Sequence, residues 1–87
     1  MVLWSNDEEQ VLLECLLSVP RVGEGYGSGW IQRVESMFNT RVPGKNPGQV
    51  GIFCKLRNMK REYGSGHLNN KPLRNIQLLG QLCRSMD

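Results

Sequence analysis

Lys55, Arg57, Asn58, Lys60 and Arg61 crowd into seven consecutive residues, and Glu62 is the only acid beside them. Side chains of this kind, set at helical spacing, are suited to binding a polyanion. Lysines neutralise phosphates, arginine can read guanine through its paired donors, and asparagine can pair with adenine. Arg41 and Lys45 lie just upstream and extend the same positive stretch. The candidate duplex-contacting set is therefore Arg41, Lys45, Lys55, Arg57, Asn58, Lys60 and Arg61. If four phosphates are neutralised, log affinity should fall with log salt at a slope of about −3.6. The alternative is a solvated basic face with no ligand.

The charge is divided along the chain. Residues 1–40 carry six acids against two arginines, a net of −4. Residues 41–87 carry nine bases against two acids, a net of +7, and together these give the +3 of the whole 87-residue chain. The division suggests that a polyanion meets the rear half.

Other chemistry is poorly provided for. His67 is the only histidine, no carboxylates are spaced for acid–base work, and no nucleophile motif is present, so an enzyme is not expected. Cys15, Cys54 and Cys83 are far apart and form no Cys-x-x-Cys pair, which gives no zinc spacing; reduced, part-buried thiols fit better. No metal or cofactor is expected. Reduced thiols point to the cytosol or nucleus. Met1-Val-Leu-Trp4 runs straight into acids, unlike a signal peptide, and no apolar run approaches a membrane span, so no membrane partner is expected. The glycines of 21–29 lack the strand, lysine and helix start of a phosphate loop and read as a flexible connection.

The positions of these side chains are set by helices. Ile52, Leu56, Met59 and Tyr63 recur at i, i+4, i+7 and i+11, which predicts a third helix over Asn46–Tyr63 with one buried face. Asn46 is its expected cap, Pro47 its first residue and Gly64 its left-handed end. A first helix is expected over Asn6–Ser18. Ser5 and Glu8 form a capping box, Leu12, Leu13, Leu16 and Leu17 make the apolar face, and Glu9 and Glu14 are expected outside it. A second helix begins near Ser28 or Gly29, with Trp30, Val34, Met37 and Phe38 on one face. Asn39–Lys45, with Pro43-Gly44, is read as the turn after it. After a loop through His67, a last segment from Lys71-Pro72 carries Ile76, Leu79, Cys83 and Met86 on one face, widened by Leu73, Leu78 and Leu82. No alternating strand pattern of useful length appears, so the class is all-α.

An aromatic residue stands at the entrance to each of the first two helices: Trp4 before Ser-Asn-Asp-Glu-Glu-Gln-Val-Leu-Leu, and Trp30 after Gly29. The third helix ends Lys55-Leu-Arg-Asn-Met-Lys-Arg-Glu-Tyr63. Over about residues 4–63 this resembles the Myb/SANT superfamily, in particular its longer-looped trihelix and MADF-like relatives. Leu56 stands where those proteins usually carry a third tryptophan, and Arg57, Asn58, Met59, Lys60 and Tyr63 follow their pattern. The resemblance implies a three-helix, helix-turn-helix-like bundle over residues 1–66. Residues 67–87 supply a loop and a further amphipathic helix, expected to pack on the bundle because so small a domain needs the extra burial, the alternative being an amphipathic tail for a partner. The resemblance also implies a nuclear module of a transcription or chromatin protein whose third helix meets double-stranded DNA. The alternative is a SANT-type module for protein–protein interaction or self-association in such a complex. Gly48 and Gly51, placed where base-reading side chains are expected, favour that alternative, and exposed Val50 and Phe53 would serve it.

Overall fold

A computed structural model of the chain describes residues 4–19, 21–22, 25–26, 29–66 and 71–85. It is all-α, with four helices among the described residues: α1 (Asn6–Ser18), α2 (Trp30–Arg41), α3 (Gly48–Ser65) and α4 (Leu73–Ser85). Two-residue strands, β1 (Arg21–Val22) and β2 (Gly25–Tyr26), pair antiparallel in the α1–α2 connection, Arg21 opposite Tyr26 and Val22 opposite Gly25. This pairing is too short to form a layer. His67 and Met86 lie outside the described residues.

α1 begins with the reciprocal bonds of its capping box. The Glu8 backbone N–H donates to Ser5 Oγ at 3.1 Å, and the Ser5 N–H donates to Glu8 Oε1 at 2.9 Å. Asp7, Glu8 and Glu9 occupy the first turn, where the helix dipole favours negative charge. Leu12, Leu13, Cys15 and Leu16 are buried. Glu9 is buried with them, at 2% exposure, and does not lie outside the apolar face as expected. It precedes Leu12, Leu13 and Leu16 by three, four and seven residues, which puts it on their stripe.

α2 runs three residues past the apolar pattern, so Asn39, Thr40 and Arg41 are helical rather than part of the turn. The turn follows at Pro43–Lys45, with Gly44 at φ +94°. α3 starts differently from the expectation. Pro47 occupies the cap position without a side-chain bond, and Asn46 adopts φ +47°, a left-handed conformation that asparagine tolerates. α3 also passes through Gly64 and ends at Gly66, at φ +77°, whose N–H donates to the Glu62 and Tyr63 carbonyls. The second of two nearby glycines provides the stop.

The helices pack in a ring: α1 against α2 and α4, and α3 against α2 and α4. The core is formed by Leu12, Leu13 and Leu16 of α1, Val34 and Phe38 of α2, Ile52, Leu56 and Met59 of α3, and Leu78, Leu79 and Leu82 of α4. Asn75 of α4 is fully buried, and its Nδ2 donates to the Asn6 carbonyl at 2.9 Å, fastening α4 to the start of α1. Gly80 lies within the unbroken α4, where a Cβ would stand 3.3 Å from Tyr63 Oη and crowd that side chain of α3. Leu73 breaks the expected apolar face and is 69% exposed.

The α3 register gives a direct prediction. Leu56 is 6% exposed within the core, and Leu56→Ala should destabilise the domain by about 2–5 kcal/mol. Urea unfolding followed by circular dichroism measures this; a midpoint equal to wild type would contradict the register.

Candidate nucleic-acid interface

The structure divides the seven basic and polar candidates into two groups. Arg41, at the end of α2, pairs with Glu14 at 2.7 Å. Lys45, in the α2–α3 turn, pairs with Glu8 at 2.9 Å, and Lys55 pairs with Glu9 at 3.2 Å. Both lysines also stand over the Trp4 ring, 5.2 and 5.8 Å from its centroid. Trp4 in turn packs tilted against Phe38 at 5.2 Å, so it joins the core on one side and holds two ammonium groups on another. These three cations therefore face α1.

Lys71, which sequence reasoning did not single out, completes this network. Its Nζ donates to both Glu9 oxygens, at 2.8 and 2.9 Å, and lies 3.5 Å from Glu62. Glu9 is thus clamped between Lys55 of α3 and Lys71 at the entry to α4. The signal was present in the sequence: an acid in register with a buried leucine stripe needs cations brought to it. Four bases of the rear half, Arg41, Lys45, Lys55 and Lys71, pair with α1 acids. Much of the charge division along the chain is complementarity between α1 and the segments that cover it.

Arg57, Asn58, Lys60 and Arg61 form the second group. All four are exposed on α3, away from Ile52, Leu56 and Met59. Among the described residues no carboxylate lies within 4.0 Å of Arg57, Lys60 or Arg61. One turn earlier on the same helix, Phe53 is 50% exposed and Val50 75% exposed. Phe53 meets Trp30 edge-to-face at 5.2 Å, which ties this surface to the start of α2.

The acids of α1 respond to their partners. The Ser5 backbone N–H and then the Lys45 ammonium hold Glu8 below the usual glutamate range, and the Arg41 guanidinium does the same for Glu14. A carboxylate whose folded pKa is depressed stabilises the fold above its unfolded pKa, and that contribution is lost as pH falls through the folded value. Stability should therefore decline below about pH 4.5, the ordinary glutamate value. Lys45→Met should flatten the decline, measured as thermal midpoint against pH; an unchanged acid profile would contradict the pairing. Burial pushes the Cys15 thiol up, which makes it a poor nucleophile. Cys15, Cys54 and Cys83 form no disulfide, and Cys54 is exposed on α3. Among the described residues no cluster of three or more His, Cys, Asp or Glu is placed to hold a metal ion, and no helix is long and apolar enough to cross a membrane.

No family model matches the chain, and no curated protein and no solved structure matches it either.

Proposed function

We propose that this chain is a nuclear, duplex-DNA-binding module of a transcription or chromatin protein, built as a Myb/SANT-like variant. In this reading α2, the turn at Pro43–Lys45 and α3 act as a helix-turn-helix-like unit. One observation carries the proposal: among the described residues no carboxylate lies within 4.0 Å of Arg57, Lys60 or Arg61, all exposed on α3, while Arg41, Lys45 and Lys55 pair with acids of α1. Arg57 and Asn58 are the base-reading candidates, and Lys60 and Arg61 contact phosphates. Arg41, Lys45 and Lys55 tie the end of α2, the turn and α3 to the acids of α1 and contribute little to the duplex.

A gel shift with random duplexes tests this division. The variant Arg57→Gln/Lys60→Gln/Arg61→Gln should lose the shift at physiological salt. Arg41→Gln and Lys45→Gln should keep it within about threefold, each side chain being paired with a glutamate of α1. Equal losses from both groups would contradict the assignment.

The SANT-type alternative is favoured by a different observation. Val50 and Phe53 leave an apolar surface at the start of α3, beside the side-chain-free Gly48 and Gly51, and phosphates have no use for it.

A further inference from the structure

Val50, Phe53, Arg57 and Arg61 fall at i, i+3, i+7 and i+11, a single stripe of about 16 Å along three turns of the exposed side of α3. Its first half is apolar and is extended sideways by the Trp30 ring. Its second half is cationic and is flanked by Lys60. We propose that this stripe is a docking surface for an acidic amphipathic helix of a partner protein. The partner's apolar residues cover Val50, Phe53 and Trp30, and its carboxylates pair with Arg57, Lys60 and Arg61.

Charge complementarity selects this occupant over the others. A second copy of the chain laid parallel on the stripe would set arginine against arginine. Laid antiparallel, it would set Val50 and Phe53 against Arg57 and Arg61, burying unpaired charge. A duplex satisfies the cations but makes no use of the exposed Val50 and the half-exposed Phe53. An acidic helix satisfies both halves, with the aromatic pair as anchor and the charges setting its direction. The inference rests on the reading of the α3 face given above, because the same three cations serve both ligands. Duplex and acidic helix must therefore exclude one another.

The test uses the whole chain and a synthetic helical peptide with a leucine stripe at one end and glutamates at the other. Its control carries lysines in place of the glutamates. Amide chemical-shift changes should map to residues 50–61 and the start of α2, and added duplex should reverse them. Phe53→Ser and, separately, Val50→Ser should weaken binding of the acidic peptide, the former by about tenfold or more, which is about 1.4 kcal/mol or more for loss of an anchor. Duplex affinity should stay within about twofold for both, since neither carries charge. The glutamine triple variant should lose both ligands. The proposal is overturned by no peptide binding up to about 1 mM, by shifts confined to another face, by equal binding of the lysine control, by undiminished binding to both serine variants, or by a dimer in sedimentation that buries Phe53. Peptide binding with no duplex binding would instead end the DNA reading and leave this one standing.

Discussion

Glu9→Ala should destabilise the domain by about 3–5 kcal/mol, the range for removing one partner from a buried ion cluster. The carboxylate is almost fully enclosed, and Lys55 and Lys71 are themselves only 14% and 10% exposed at their side chains. Truncation leaves the two ammonium groups facing each other with little water between them, and only the part-exposed Glu62, 3.5 Å from Lys71, remains as a carboxylate beside them. The stability of a domain of this size is about 4–13 kcal/mol, so the loss is a large share of it. Guanidinium unfolding of wild type and variant gives the difference. Replacing Glu9, Lys55 and Lys71 together by apolar residues of similar volume should recover most of it, because the cost lies in unpaired charge. A Glu9→Ala variant within about 0.5 kcal/mol of wild type would mean that the two lysines swing out to solvent. Lys55 would then be free to reach a duplex.

Phe38→Ala should cost about 3–5 kcal/mol by a different route. Phe38 is fully buried on α2, and its ring supports Trp4, over which Lys45 and Lys55 stand. The truncation opens a cavity and also loosens the platform of the two lysines. Its effect should be less than additive with that of Trp4→Ala, because both variants remove the same contact. Thermal unfolding of the single and double variants measures the coupling, and strict additivity would contradict the proposed support of Trp4.

Much of the fold was legible because local signals agreed. Ser5 and Glu8 fixed the start of α1, and the Ile52, Leu56, Met59 repeat fixed the buried face of α3. Gly66 rather than Gly64 ends α3 because either glycine can adopt a left-handed conformation, and the choice depends on which carbonyls are left to satisfy. Glu9 was misplaced because a polarity scale assigns every glutamate to solvent. Its burial depends on Lys55 and Lys71, which are 46 and 62 residues away in the chain. The candidate site was legible as a set of bases but not in its division. Arg41, Lys45 and Lys55 look like Arg57, Lys60 and Arg61 in sequence, and only the packing of α1 against the later segments separates them. The Trp30–Phe53 contact likewise joins residues on different helices, and no spacing rule reaches it.

In the proposed function the three outward cations of α3, and not the whole basic stretch, meet a duplex, with Lys60 and Arg61 on its phosphates. The most direct measurement is the affinity of the chain for duplex DNA across a salt series. Log affinity should fall against log salt with a slope of about −1.8, or about −0.9 for each of the phosphate contacts of Lys60 and Arg61, and the glutamine triple variant should bring it close to zero. A slope near zero for the wild-type chain, or one unchanged in the triple variant, would contradict the account.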